Sequence, residues 1–176
     1  LGGVQQLDNV LGAWSSSDIN TSYVTDAPEG TYALELSTNA TSWETLAYST
    51  ALELSAESTL AFDYKVVEFN GSAAPSALAM FYASFTTYNG STTYLVQYIL
   101  ANGSSGYTNL STACYFYLGD NVVAPGEWGT LYMDLYRDFE VAFSGVAADD
   151  VYLSQFGVCI YAAAGPLVVV RVDDLR

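Results

Sequence analysis

Alternation of apolar and polar side chains at a period of two restricts this chain more than any other feature. Residues 31–38, TYALELST, set Tyr32, Leu34 and Leu36 on one face and Ala33, Glu35 and Ser37 on the other. Residues 58–69, STLAFDYKVVEF, repeat the pattern, with Leu60, Phe62, Tyr64 and Val66 opposite Asp63 and Lys65. Successive side chains of a strand point to opposite faces, so each segment reads as a half-buried strand. Further extended segments are expected at 43–54, 77–88, 92–101, 107–118, 129–136, 151–161 and 166–175, and a short helical turn at 137–143. Asn89-Gly90-Ser91 between two aromatic runs is a hairpin signal, and 77–118 together predict a three-strand meander. Trp14 is followed by what reads as a polar loop reaching Pro28-Glu29-Gly30. No long segment carries a helical period. The expected architecture is all-β, a two-sheet antiparallel β-sandwich and most simply a jelly roll. Residues 13–176 form one such domain, preceded by residues 1–12 as an extension or first strand.

Composition limits the partners. The formal net charge is −15 and Lys plus Arg number four, a balance that repels nucleic acid and anionic membranes and attracts cations. The chain has no histidine, which removes His-based triads and His metal ligands. Oxygen-ligand sites for calcium remain open. No apolar run is long enough for a membrane-spanning helix.

Six of the eight asparagines open Asn-x-Ser/Thr tripeptides: Asn20, Asn39, Asn70, Asn89, Asn102 and Asn109. That density predicts N-glycosylation of several and an extracellular or cell-surface location; Asn-Gly-Ser also makes good turns, which accounts for some of them. Cys114 and Cys159 permit one disulfide, expected in an exported chain, with two buried thiols as the alternative. Two carboxylate pairs, Asp149-Asp150 and Asp173-Asp174, are the metal candidates. The second ends the β-branched run 167–172, so only one of its members can face inward at the rim of the sandwich.

The order of motifs resembles galactose-binding-like jelly-roll modules, the fold of many carbohydrate-binding modules. Gly30-Thr-Tyr-Ala-Leu-Glu-Leu36 is similar to an early strand of that family and Ser58-Thr-Leu-Ala-Phe-Asp-Tyr64 to the next. Glu127 to Leu135 resembles the later Trp-containing strand, and Gln155–Tyr161 with Val172-Asp-Asp-Leu175 the closing pair. The resemblance implies a structural calcium held by Asp173 or Asp174 and the Glu29-Gly30 turn. Near the N-terminus the family's acidic motif reads Leu7-Asp8-Asn9-Val10-Leu11 here, with an apolar residue in place of its glutamate; the resemblance implies Asp8 as the substitute. A second, compositional resemblance is to cannula-type extracellular filament or tubule subunits of hyperthermophilic archaea. It implies calcium-assisted assembly of many copies of the chain and exchange of an N-terminal strand.

Two functions follow, in this order. The first is a secreted structural subunit that self-assembles into a filament or tubule, residues 1–10 donating Val4, Leu7 and Val10 to a neighbour by β-strand addition. The second is a non-catalytic carbohydrate-binding module, with Tyr82, Tyr88, Tyr94, Tyr98, Tyr107, Tyr115 and Tyr117 available to line a concave sheet or, more ordinarily, to pack the core. A glycoside hydrolase needs two carboxylates across a cleft, and the spacing of Glu35, Glu53, Glu68, Glu127 and Glu140 marks no such pair.

Overall fold

A computed structural model describes residues 14–17, 19–28, 30–38, 42–69, 78–102, 108–117, 125–162 and 168–173. It contains strands β1 (Trp14–Ser17), β2 (Asn20–Val24), β3 (Ala33–Thr38), β4 (Glu44–Glu53), β5 (Thr59–Phe69), β6 (Leu78–Thr87) and β7 (Thr93–Asn102). These are followed by β8 (Ala113–Tyr117), β9 (Gly129–Asp134), helix α1 (Leu135–Ala142), a 3₁₀ turn (Ala148–Asp150), β10 (Val151–Tyr161) and β11 (Val168–Asp173). They build a six-stranded sheet ordered β1-β4-β10-β6-β7-β8 and a five-stranded sheet ordered β2-β3-β11-β5-β9. The fold is the all-β sandwich that alternation predicts.

One face of each sheet fills the space between them. Leu34 and Leu36 of β3, Phe62 and Tyr64 of β5, Phe81 and Phe85 of β6, Val158 and Ile160 of β10, and Val170 and Val172 of β11 belong to one buried cluster. Phe62 stacks on Phe81 at 4.6 Å between ring centroids and joins the two sheets. Helix α1 closes one end of the core. Asp134 caps it by accepting from the Arg137 amide at 3.0 Å, and Phe139 packs against Phe85 at 5.0 Å. The Tyr98 hydroxyl, reaching out of the core, donates to Asp138 at 2.7 Å. Burial pushes the Asp138 carboxyl above its ordinary range.

Two expectations need correction. The segment read as a polar loop after Trp14 holds two strands, β1 and β2. Both are at sheet edges, and β2 is exposed along nearly its whole length, so no hydrophobic alternation marks it. Residues 77–118 are not a meander: β6 and β7 form the expected hairpin, but β8 runs parallel to β7, Leu95 opposite Ala113 and Ile99 opposite Tyr117. The ten residues between these strands approach the length that a parallel return requires. Residues 1–12, with Val4, Leu7, Asp8 and Val10, lie outside the described residues, and so does the question of strand donation.

Gly157 marks the tightest approach of β10 to β4. It stands opposite Ala47, and a Cβ built on it would sit 2.1 Å from the Leu46 carbonyl oxygen. Backbone cannot give way as a side-chain tip can. Gly157→Ala is therefore expected to destabilise the fold by about 2–3 kcal/mol in urea titration. A loss below about 0.5 kcal/mol would show that the two strands are free to separate.

Candidate functional site: an uncharged cleft on the outer face of the six-stranded sheet

The six-stranded sheet carries buried apolar side chains on both faces. In β6, Ala79, Phe81, Ala83 and Phe85 enter the inter-sheet core, while Leu78, Met80 and Tyr82 belong to a second cluster on the other side with Ala47, Ile99 and Cys159. Leu95, Tyr115 and Tyr161 pack against this cluster. The face holds a cleft of about 440 Å³ lined by Trp43, Thr45, Met80, Tyr82, Leu95, Gln97, Tyr115, Gln155 and Cys159. These residues lie on or beside five neighbouring strands, β4, β10, β6, β7 and β8, so the cleft crosses about 20 Å of sheet.

The cleft combines ring faces with amides. Trp43, 48% exposed, leans on Tyr161 with ring centroids 5.0 Å apart and planes 30° from parallel. The Tyr82 hydroxyl donates to Gln155 Oε1 at 3.0 Å, which fixes the orientation of that amide. Burial, with the Cys159 sulfur beside it, pushes the Tyr82 phenol up to about 12, so at neutral pH it is a donor. Burial, reinforced by Glu44, raises the Cys159 thiol to about 12 as well. None of the nine lining residues is charged.

The seven tyrosines singled out from the sequence are divided by the fold. Tyr82 and Tyr115 line the cleft. Tyr98 is in the core, and Tyr94 packs edge-on against Phe139 at 5.7 Å. Tyr88 is exposed in the turn of the β6–β7 hairpin, paired with Tyr152 at 5.6 Å. Tyr107 and the side chain of Tyr117 lie outside the described residues. Sequence reasoning missed Trp43, Gln97 and Gln155. The available signal was the unbroken apolar run of β6, which demands cover on both faces. The glutamates weighed for hydrolysis are elsewhere. Glu35 is ion-paired to Arg171 on the other sheet, and Glu53, Glu68, Glu127 and Glu140 are exposed and away from the cleft lining.

The predicted disulfide is corrected. Cys114 and Cys159 are both free and buried. Cys114 points into the inter-sheet core and Cys159 into the cleft cluster. Three strand spacings, about 14 Å, separate β8 from β10 in the same sheet, far beyond the Cα separation a disulfide spans.

The metal candidates are partly placed. Asp173 turns away from the inter-sheet core, sharing a face with Arg171, yet is only 3% exposed. It stands directly across from Asp63, also buried, which accepts a hydrogen bond from the Thr130 hydroxyl. The pairing of Val172 with Leu34 brings the end of β11 beside the start of β3, the strand that Gly30 precedes in a left-handed turn (φ 68°). Asp149 and Asp150 are exposed at the start of β10 in the other sheet. Asp8, Glu29 and Asp174 lie outside the described residues, and among the described residues no three acidic or thiol groups converge as a metal set. Two buried carboxylates facing each other across a strand pair, with Cβ atoms about 5 Å apart, fit part of a hard-cation site. Farther along this face, Asp26 receives Lys65 at 2.8 Å and also Arg171, and accepts from the Trp128 indole at 3.3 Å. Lys65 first and Trp128 second hold the Asp26 carboxyl below its usual range.

No protein-family model matches the sequence, and no curated protein does. Solved structures do. A carbohydrate-binding module of the β-sandwich superfamily superposes with a TM-score of 0.58 at 14% identity, over 99% of this chain and 62% of that one. The C-terminal family 22 carbohydrate-binding module of Clostridium thermocellum Xyn10B gives 0.53 at 13% identity, over 98% and 89% of the two chains. The family 11 module from the same organism, in complex with a β-1,3-1,4-mixed-linked tetrasaccharide, gives 0.51 at 16%, over 99% and 95%. The chain thus spans about three-fifths of the first structure and most of the other two. At these identities the likeness is one of fold: the chain shares the β-sandwich architecture of these carbohydrate-binding modules. The narrower resemblance to cannula-type subunits gains no support from them.

The placement of the thiols has a direct test. In native protein at pH 8 both cysteines should resist iodoacetamide, Cys159 above all because its thiol ionises only near 12, and both should react once the chain is unfolded without reductant. A Cys114–Cys159 crosslinked peptide in a non-reducing digest would contradict the assignment.

Proposed function

We propose that the chain is a non-catalytic carbohydrate-binding domain of an extracellular or cell-surface protein, and that its cleft takes up a segment of a neutral polysaccharide. The observation that carries this reading is the lining itself. Trp43, Tyr82 and Tyr115 supply ring faces, while Thr45, Gln97 and Gln155 supply groups that both donate and accept hydrogen bonds. A pyranose presents an apolar C–H face and a rim of hydroxyls, which are the complements of these two sets. On a chain of net charge −15, an uncharged cleft disfavours anionic polymers and suits uncharged ones. Among the described residues the lining holds no carboxylate, and these residues offer no acid–base pair for hydrolysis. The fold shared with carbohydrate-binding modules supports this reading over the self-assembling subunit, whose strand-donating residues Val4, Leu7 and Val10 are outside the described ones.

The test is affinity electrophoresis against a panel of neutral and anionic polysaccharides, followed by calorimetry with oligosaccharides of the one that binds. Trp43→Ala and Tyr115→Ala should each weaken binding by about tenfold with little change in unfolding midpoint. If no neutral polysaccharide retards the wild-type protein, the reading fails.

Calcium is proposed here as a structural ion at Asp63 and Asp173, with oxygens from the Glu29-Gly30 turn and from Asp8 or Asp174 completing the set. It would relieve the repulsion of two facing carboxylates. Millimolar calcium should raise the Tm of EDTA-treated protein, and Asp173→Asn should abolish that rise. An equal rise in wild type and variant would place the ion elsewhere.

A further inference from the structure

Among the described residues, Asn89 and Asn109 are sequon asparagines whose side-chain amide orientation the structure fixes. Asn89, exposed at the tip of the β6–β7 hairpin, accepts through Oδ1 from the Ser91 amide at 2.9 Å and from the Thr87 hydroxyl at 2.8 Å. Asn109, exposed beside β8, accepts through Oδ1 from the Tyr115 amide at 2.8 Å. A backbone N–H only donates, so the side-chain atom facing it is oxygen and Nδ2 is the other branch. In both residues the nitrogen that bears a glycan is therefore turned away from the backbone on which the side chain leans. Converting that NH₂ to a substituted amide leaves Oδ1 an acceptor and keeps every one of these hydrogen bonds. An exposed turn also takes on a sugar without burying polar surface.

We propose that Asn89 and Asn109 are N-glycosylation sites. The donor is an oligosaccharide joined through its anomeric carbon to a lipid diphosphate. Nδ2 attacks that carbon, the N–C bond forms as the C–O bond to the diphosphate breaks, the lipid diphosphate leaves with the bonding electron pair, and the proton released from Nδ2 passes to a base of the transferase. Ser91 and Ser111 supply the hydroxyl two residues on that the tripeptide requires.

The two positions differ in what a glycan does there. At Asn89 it stands on the hairpin tip, next to the exposed ring of Tyr88. At Asn109 it stands outside β8, the last strand of its sheet, where a branched polar group blocks pairing with another chain. The proposal is independent of what the cleft binds.

The experiment is secretion of the chain from a eukaryotic host, followed by intact mass and peptide mapping before and after peptide N-glycosidase. The expected result is an enzyme-dependent Asn-to-Asp mass increment at both Asn89 and Asn109. Ser91→Ala and Ser111→Ala should each remove one glycan mass while keeping the asparagine and its backbone hydrogen bond. Unmodified asparagine at either position in the wild-type material overturns the assignment for that position. A glycan retained in the matching serine variant overturns it as well.

Discussion

The stack of rings between the sheets is the interaction on which the rest of the molecule depends. Phe62 of the five-stranded sheet lies on Phe81 of the six-stranded sheet, and Phe81 continues to Phe156, Phe156 to Tyr48, and Tyr48 to Trp14. Once these rings face inward, the period of two turns Met80 and Tyr82 outward from β6, Gln155 and Cys159 from β10 and Thr45 from β4. The cleft is thus the reverse side of the core. A one-residue slip in β6 would exchange the two, burying the Tyr82 hydroxyl among phenyl rings and exposing Phe81.

Legibility followed hydrophobic contrast. Strands with one wet face were readable: β3 and β5 place Leu34, Leu36, Phe62 and Tyr64 inward as their alternation says. The short capped helix at the end of β9 was readable too. Strands without contrast were not. β2 pairs with β3 at the edge of a sheet, and its exposed side chains read as loop. The opposite failure occurred in β6, where both faces are apolar and sequence alone cannot say which ring faces the partner sheet and which a ligand. The direction of β8 was invisible because a short run after a Gly-rich segment pairs equally well either way. Six sequons and two cysteines were counted correctly, but the disulfide inference lacked the fact that the two thiols take opposite faces of one sheet.

Charge is distributed against the composition. Two of the four basic side chains, Lys65 and Arg171, converge on Asp26, and Arg171 also holds Glu35. They anchor the segment after β2 to the outer face of the five-stranded sheet. Glu44, Asp63 and Asp173 are buried, and among the described residues no acidic side chain lines the cleft. A ligand entering the cleft therefore meets neutral groups within a negative surround, so uncharged polymers approach without the penalty that a polyanion incurs.

β8 closes one side of the cleft while being joined to the sheet along a single edge, by the slanted bonds of a parallel pair. The opposite wall, β4, is held between β1 and β10. Tyr115 rides on the weakly held side and Trp43 on the firmly held one. Local opening of β8 parts Phe116 from Tyr98 but leaves the Phe62–Phe81 stack between the sheets in place, so this wall loosens at a temperature where the sandwich is still intact. The cleft has a fixed jaw and a compliant one, and its width under load is set by one row of parallel hydrogen bonds and the contact of Phe116 with Tyr98.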